Sequence, residues 1–193
     1  MIKAIVFDYV GVIVEESVVT KWIRKNISNP EPNIKGIMDG ITKWDLGEIE
    51  YSDFNNIISQ NTGIPADQVF HTFFENITVY QDTVKLIKSL KNKYKIVLLS
   101  NGPKENPYKM LKNQNIEYLF DEIIISAEHK MVKPNPEIYK LMLSICKIDA
   151  SEAIFIDDRQ INVDAGNKLG IKSLLFTDAP TLKKDLQELF KNS

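Results

Sequence analysis

Five short segments of the chain are made almost entirely of apolar residues, without polar residues alternating between them. They cover residues 4–7, 96–99, 123–125, 153–156 and 173–176. Continuous apolar runs are typical of strands that are buried on both faces of a parallel sheet. We therefore expect a sheet of five buried parallel strands.

The segments between the later runs have apolar residues at helical spacing. One example is the series Ile138, Leu141, Met142 and Ile145, whose side chains fall on one face of a helix. Strands that alternate with helices indicate an α/β fold, because each parallel connection crosses over a face of the sheet. The pattern predicts helices on both faces.

The interval between the first and second runs differs from the others. A structureless loop over residues 15–80 is improbable in a compact domain, and the apolar positions favour helices around residues 18–24, 34–44, 51–59 and 66–74. Breaks between these helices are marked by Pro30, Pro32, Gly47, Gly63 and Pro65. We expect a small helical insertion over the sheet.

Composition limits the possible partners. The 193 residues carry a formal net charge of −2, with Lys and Arg spread along the chain, which argues against nucleic-acid binding. The longest apolar runs are far shorter than the stretch of about 20 residues that spans a bilayer, and we expect no leader before the first strand. We expect a cytoplasmic monomer whose single cysteine, Cys146, is a buried thiol.

Polar residues that could carry chemistry follow the predicted strands. Ligands of an open parallel sheet bind at the carboxyl ends of its strands, so these side chains should converge on one cleft. They are Asp8, Ser100, Asn101, Asp157 and Asp158, with Lys133 somewhat further along its connection. Carboxylate oxygens, together with water and phosphate, are the usual ligands of Mg2+. The sequence therefore predicts a cleft that suits Mg2+.

Each of these residues also has a structural interpretation. Asp8 can cap a turn, Ser100 and Asn101 are good turn residues, and Lys133 can be a solvated loop lysine. The adjacent carboxylates of residues 157 and 158 are harder to explain in this way, because they repel each other unless a cation lies nearby. The occurrence of all of them in this order favours the functional interpretation.

Four stretches of the sequence resemble the four motifs of the haloacid dehalogenase superfamily. They read IVFDYVGVI, LLSNG, KPNPEIY and IFIDDRQINVDAGNKLGI, in that order along nearly the whole chain. The resemblance implies a hydrolase with a Rossmann-like core, residues 1–14 and 81–193, and a helical cap, residues 15–80. The stretch WDLGEI at residues 44–49 is similar to part of the small helical (C1-type) caps of the family's phosphatase branches.

The resemblance also implies roles for individual residues. Asp8 would attack phosphorus and form an aspartyl-phosphate, and Lys133 would neutralise the charge. Phosphate would be held by Ser100 and the backbone amide of Asn101, and Mg2+ by Asp8, Asp158 and the backbone carbonyl of Val10, with Asp157 and Asn162 behind these ligands. The implied activity is Mg2+-dependent hydrolysis of a small phosphorylated substrate.

Two positions depart from the family pattern. Phosphatases of the family usually carry a second Asp two residues after the nucleophile, where this chain has Val10, and many carry an Asp where it has Asn162. The second Asp acts as general acid and base, a role worth about 10²- to 10⁴-fold in rate. Val10 therefore favours a leaving group that needs little protonation, and Asn162 predicts weaker Mg2+ binding.

Two alternative functions stay open. A 2-haloacid dehalogenase uses the same Asp on carbon and lacks the second Asp, although Asp157 and Asp158 would repel a carboxylate-bearing substrate. The other alternative is a relic that binds Mg2+ and a phosphorylated ligand without turnover. Val10 supports the relic, whereas the intact Asp8 and Lys133 weigh against it.

Overall fold

A five-stranded parallel sheet forms the centre of the protein in the computed structural model, which describes residues 1–15, 18–75, 77–104 and 106–191. The strands are β1 (Ala4–Phe7), β2 (Lys95–Ser100), β3 (Glu122–Ile125), β4 (Ala153–Asp157) and β5 (Lys172–Leu175). Their order in the sheet is β3-β2-β1-β4-β5, and every pair is parallel. The α/β, Rossmann-like prediction is confirmed.

Helices cover both faces of this sheet. The helices that follow the insertion are α5 (Gln81–Leu90), α6 (Asn106–Asn113), α7 (Ser126–His129), α8 (Pro136–Cys146), α9 (Gln160–Lys168) and α10 (Ala179–Lys191). Alternate residues of β1 enter two hydrophobic clusters: Ile5 and Phe7 pack with α5, α6 and α10, while Ala4 and Val6 pack with α8. The second cluster contains Cys146, which is buried as expected. The core thus has three layers.

The fifth strand is less buried than the sequence predicts. Residues 173–176 were expected to form a strand buried on both faces, but β5 is only partly buried and Leu175 is 41% exposed. The strand lies at the edge of the sheet, where one side has no neighbouring strand to cover it. Phe176 is buried beyond the end of β5, so the apolar run marked a core residue outside the strand.

Four of the helices described between β1 and β2 precede α5, and we call these four the helical insertion. They are α1 (Val18–Asn26), α2 (Pro30–Asp45), α3 (Tyr51–Thr62) and α4 (Val69–Phe73), with a 3₁₀ turn at Ala66–Gln68. Their apolar faces form a third hydrophobic cluster, in which Trp44 stacks on Phe54 with a ring-centroid distance of 4.0 Å. No helix in the described ranges is long and apolar enough to cross a membrane.

The second helix begins earlier than its apolar pattern predicts. The expected helix at residues 34–44 lies inside α2, which starts at Pro30 and contains Pro32 in its first turn. Proline is tolerated there because the first backbone N–H groups of a helix have no intrahelical acceptor. Pro30 and Pro32 therefore lie within the start of the helix and do not separate it from its neighbours.

The end of α2 is fixed to the end of the sheet. The Ser126 hydroxyl donates to the backbone carbonyl of Asp45 at 2.6 Å, and the backbone N–H of Gly102 donates to the same hydroxyl oxygen at 3.0 Å. Two residues further, Gly47 has φ +66°, and a Cβ at this position would lie 2.8 Å from the carbonyl oxygen of Ala127. The insertion thus contacts the core backbone too closely for a side chain at Gly47.

We expect Gly47→Ala to destabilise the protein more than Gly63→Ala. Both glycines have positive φ, so both substitutions carry the strain of a left-handed backbone, about 1–2 kcal/mol. At Gly63 nothing lies within 4 Å of the added Cβ, whereas at Gly47 it meets the backbone of Ala127. Urea unfolding should show an additional loss of about 1–3 kcal/mol for Gly47→Ala. Equal losses would show that the close approach at Ala127 relaxes without cost.

Candidate active site

A buried ammonium group between two carboxylates forms the centre of the site. Lys133 Nζ lies 2.8 Å from Asp8 Oδ1 and 2.8 Å from Asp157 Oδ2. Lys133 is 3% exposed and Asp157 is 0% exposed, so both charges are shielded from water. Burial alone would lower the pKa of Lys133, but the two carboxylates outweigh it and raise that pKa. Lys133 is therefore a permanently charged group in contact with Asp8.

The backbone of Lys133 is held by the end of β2. Asn101 accepts a hydrogen bond from the backbone N–H of Lys133 at 2.8 Å through Oδ1, and its Nδ2 donates to the Lys133 carbonyl at 3.0 Å. Ser100 precedes it as the last residue of β2, and its buried hydroxyl donates to the Asn101 carbonyl at 3.2 Å. Asn101, whose backbone amide is expected to contact phosphate, thus also positions Lys133 through its side chain.

Asp157 is held in place by neighbours as well as by Lys133. Its Oδ1 accepts from the backbone N–H of Arg159 at 2.9 Å, and Nδ2 of Asn162 donates to its two carboxylate oxygens at 2.9 and 3.1 Å. Burial raises the pKa of Asp157, but Lys133 and these hydrogen bonds together lower it below its ordinary value. Asp157 stays ionised, and Asn162 supports it directly.

Asp8 follows β1 and is the carboxylate most affected by burial. It is 8% exposed, and its Oδ1 accepts a hydrogen bond from the backbone N–H of Tyr9 at 2.7 Å. Burial raises the pKa of Asp8 to about 7, opposed by the Lys133 ammonium and reinforced by the charge of Asp157. One ammonium group thus contacts two carboxylates, and its single positive charge cannot balance both of them.

Asp158 completes a cluster of carboxylates at the ends of β1 and β4. Oxygen atoms of Asp8, Asp157 and Asp158 all lie within 4.8 Å of one another. Burial, together with the charge of Asp157, raises the pKa of Asp158. A Cβ at Gly11 would overlap Asp158 Oδ2, so the glycine allows this carboxylate to lie against the loop after β1. Oxygen donors with excess negative charge suit Mg2+.

A cavity of about 430 Å³ opens over this cluster and reaches under the helical insertion. Asp8, Ser100, Lys133 and Asp158 line it at the end formed by the core. Val10 also lines the cavity, so no carboxylate faces it from that position. The sequence-predicted site residues therefore line one cleft, except Asp157, which lies behind it and contacts Lys133 and Asn162.

One acidic residue of this cavity that the sequence analysis did not single out is Asp45. Asp45, the last residue of α2, lines the cavity from the side of the helical insertion. Burial raises its pKa to about 7, while the charges of Lys133 and Arg159 oppose the rise. The available signal was the acidic residue within the stretch WDLGEI, but its direction depends on how α2 meets the core.

Comparison with characterised proteins agrees with this geometry. A 26% identical relative, D-ribitol-5-phosphate phosphatase from Bacteroides thetaiotaomicron, matches over 90% of this chain and 91% of its own length. A sesquiterpene phosphatase from Aspergillus oryzae is 27% identical over 76% of the chain and 77% of its own length. Bifunctional epoxide hydrolase 2 from Sus scrofa is 26% identical over 97% of the chain, which spans only 39% of that relative.

A solved structure and a family model agree with these relatives. A haloacid dehalogenase family enzyme from Bacteroides thetaiotaomicron, in complex with magnesium and inorganic phosphate, superposes with a TM-score of 0.76 at 26% identity, covering 92% of this chain and 96% of that enzyme. The family model for haloacid dehalogenase-like hydrolases matches residues 2–170. With the four motifs assembled around one buried lysine, this match shows that the chain belongs to the haloacid dehalogenase-like hydrolase family.

Proposed function

We propose that the chain is a Mg2+-dependent phosphomonoesterase that forms an aspartyl-phosphate on Asp8. The observation that carries the proposal is the buried ion-pair chain in which Lys133 contacts both Asp8 and Asp157 at 2.8 Å. An ammonium group in this position lowers the repulsion between the Asp8 carboxylate and an approaching phosphate dianion. Two relatives that bear the name phosphatase support the assignment.

In this proposal, Mg2+ is held by Asp8, Asp158 and the backbone carbonyl of Val10. The carboxylate cluster and the glycine at position 11 fit an oxygen-ligated cation of this kind. When bound, the cation supplies positive charge that stabilises the phosphoryl group. The similar Bacteroides enzyme, which holds magnesium and phosphate, supports this choice of metal.

The protein residues then have distinct parts in the reaction. A bond forms between a carboxylate oxygen of Asp8 and phosphorus while the bond from phosphorus to the leaving oxygen breaks. Ser100, the backbone amide of Asn101 and Lys133 hold the phosphate oxygens. A water molecule then attacks phosphorus, the bond from phosphorus to Asp8 breaks, and phosphate leaves. Asp157 and Asn162 are positioning residues, because their hydrogen bonds fix the ammonium group of Lys133 and not the substrate.

The domain division follows the same proposal. Residues 1–14 and 81–193 form the catalytic core, and residues 15–80 form a cap that covers the cavity. A dehalogenase is disfavoured by the carboxylate cluster, because three carboxylates within 4.8 Å would repel the carboxylate of a 2-haloacid. The same cluster favours a divalent cation and a phosphate group.

Hydrolysis of an aryl phosphate with and without Mg2+ tests the proposal. We expect turnover in the wild-type protein that disappears on chelation and falls at least about 10⁴-fold in Asp8→Asn, which removes the nucleophile. Phosphate release measured over a panel of acyl, sugar and alkyl phosphates then gives the substrate class. Mass spectrometry of acid-quenched reactions should detect the phosphorylated Asp8 peptide in the wild type.

The Val10→Asp variant separates the proposal from its main alternative. Absence of wild-type turnover together with activity in Val10→Asp would show a relic that lost its general acid. Turnover in the wild type without Mg2+ would contradict the metal requirement, and chloride release from 2-chloropropionate would show a dehalogenase. Asp164→Asn is a matched control, because Asp164 is exposed on α9 and should leave turnover within about twofold.

A further inference from the structure

Away from the carboxylates, the cavity over Asp8 is lined mostly by apolar side chains. All four helices of the helical insertion contribute apolar side chains to its lining, among them Val19, Met38, Ile41, Trp44, Phe54 and Phe73. Met110 of the core continues this surface. Among the described residues of these four helices, Asp45 is the only ionisable side chain in the lining.

A hydroxyl-rich substrate would find few partners in this part of the cavity. Hydroxyl groups that lose water without gaining a hydrogen bond weaken binding, whereas apolar groups gain from leaving water. Glu15 also lines the cavity, but its Oε1 already accepts from the backbone N–H of Thr78 at 3.1 Å. The cationic groups of Lys133 and Arg159 come from the core and suit a phosphate, and Asp158 beside them suits the proposed cation.

We propose that the substrate is the phosphomonoester of an apolar aliphatic alcohol, either alkyl or isoprenoid. The phosphate would lie at Lys133 and the hydrocarbon under the helical insertion. A volume of about 430 Å³ is within the range of small-molecule sites, about 300–1,000 Å³, and leaves room for such a chain beside the phosphate. This inference rests on the proposed phosphatase function and adds the class of alcohol.

Steady-state hydrolysis of matched alcohols tests this substrate class. Octyl phosphate and geranyl phosphate, below their micelle-forming concentrations, are compared with ribitol 5-phosphate and with phenyl phosphate. We expect kcat/KM to be about 100-fold higher for the apolar esters than for ribitol 5-phosphate. Equal or better turnover of ribitol 5-phosphate would overturn the inference. Absence of turnover for phenyl phosphate as well would instead overturn the proposed function, so the two failures are distinguishable.

A substitution on the cavity wall provides a second measurement. Met38 lines the cavity yet is 43% exposed, so Met38→Ser should fold normally. We expect the KM for octyl phosphate to rise about fivefold, because the hydrocarbon loses an apolar partner. Asp39→Ser is the matched control, since Asp39 is the exposed neighbour on α2 and is absent from the described lining. An unchanged KM in Met38→Ser would place the hydrocarbon elsewhere.

A different observation concerns the proton that an aliphatic leaving group requires. The Asp45 backbone is fixed to the core through Ser126, and Asp45 lines the cavity together with Asp8 and Val10. Within the described parts of the chain, this carboxyl group makes no hydrogen bond or ion pair. The charged groups that act on it are Lys133 and Arg159.

We infer that Asp45 supplies from the helical insertion the general acid that Val10 cannot provide. As the bond from phosphorus to the alcohol oxygen breaks, that oxygen takes the proton of the Asp45 carboxyl group and leaves as the neutral alcohol. Asp45 is then a carboxylate. It takes a proton from the water that attacks phosphorus, while the bond from phosphorus to Asp8 breaks and phosphate leaves.

The state of the Asp45 carboxyl group is consistent with both steps. Burial raises its pKa to about 7, so the protonated and ionised forms are both populated near neutral pH. General acids and bases work best when their pKa lies near the operating pH. With Asp45 as proton donor, the substrate is no longer restricted to leaving groups that need little protonation, which was the expectation from Val10.

Leaving-group dependence tests Asp45 as a proton donor. Octyl phosphate needs a proton on its leaving oxygen, whereas p-nitrophenyl phosphate does not. We expect Asp45→Asn to lower kcat about 100-fold for octyl phosphate but no more than about tenfold for p-nitrophenyl phosphate. Equal losses on both esters would show that Asp45 only positions the substrate and would overturn the inference.

Two variants complete the test. Asp39→Asn makes the same charge change at an exposed site of the same helix and should leave both activities within about twofold. Val10→Asp combined with Asp45→Asn should regain turnover of octyl phosphate, because a carboxyl group is restored at the usual family position. Failure of this rescue, with an unchanged thermal midpoint, would also contradict the proton-donor role.

Discussion

Replacing Lys133 with Met should both abolish turnover and destabilise the protein by about 3–5 kcal/mol. The substitution leaves Asp8 and Asp157 buried without the ammonium group that lies 2.8 Å from each, and such uncompensated buried charges are strongly destabilising. Asp8 would hold its proton more tightly and lose its nucleophilic form. We expect a fall in kcat of at least about 10³-fold, together with a lower urea midpoint.

Matched variants separate the buried charge from the loss of a lysine. Lys140→Met removes an exposed lysine that pairs with Glu137, so its effect on unfolding should stay within about 0.5 kcal/mol. The double variant Lys133→Met with Asp157→Asn should regain part of the stability but none of the activity. A Lys133→Met protein that unfolds at the wild-type urea midpoint would contradict the buried ion-pair chain.

The residues at the strand ends were predictable because their position follows from the sheet alone. Asp8, Ser100, Asp157 and Asp158 each end or follow an apolar run, and parallel strands bring such residues to one edge. Lys133 lies further along, in the connection after α7, so the sheet indicated only that it belongs to the cleft, and its contact with Asp8 could be expected only from the resemblance of its motif.

Other features depended on contacts that the sequence pattern does not contain. The exposure of β5 follows from its place at the edge of the sheet, which an apolar run cannot specify. Asp45 lines the cleft at the end of α2, which is held to the core by the bond from Ser126, a residue 81 positions away in the chain, to the Asp45 carbonyl. Asn162 was expected to act near the metal, but its amide donates to Asp157, a contact that depends on how α9 follows β4.

These contacts, together with burial, determine which carboxyl groups of the cleft are ionised. Lys133 binds two carboxylates and keeps Asp157 ionised, so Asp8 receives only part of the ammonium charge. Asp8, Asp45 and Asp158 all have raised pKa values, with burial as the largest cause. Without a cation, the cleft therefore favours protonated acids. A divalent cation and a phosphate dianion together would change this balance, because the cation favours ionised Asp8 and Asp158.

This balance predicts that Asp8→Asn stabilises the metal-free protein at pH 8. Burial raises the pKa of Asp8 from an ordinary value of 3.8 to about 7, so between these pH values the folded state binds a proton that the unfolded state has lost. The stability of the wild type should therefore fall as the pH rises from about 4 to about 7 and change little above that. Asn carries no charge, so the variant lacks this part of the fall.

Urea unfolding in chelator at a series of pH values measures the difference. At pH 8 we expect Asp8→Asn to be more stable than the wild type by about 1–3 kcal/mol, with the gain limited because Lys133 loses one partner. Below about pH 3 the difference should largely disappear, because Asp8 is then protonated in both the folded and the unfolded state. Asp45 and Asp158 titrate in both proteins, so the comparison isolates Asp8.

Added Mg2+ should reverse the order of the two proteins. Binding to the folded state stabilises the wild type in proportion to the logarithm of the Mg2+ concentration, whereas Asp8→Asn has lost one of its proposed ligands. Asp82→Asn, at an exposed acid that pairs with Lys85 on α5, should follow the wild type with and without Mg2+. If Asp8→Asn were less stable than the wild type in chelator at pH 8, the contact with Lys133 would outweigh burial, and Asp8 would be ionised without a metal.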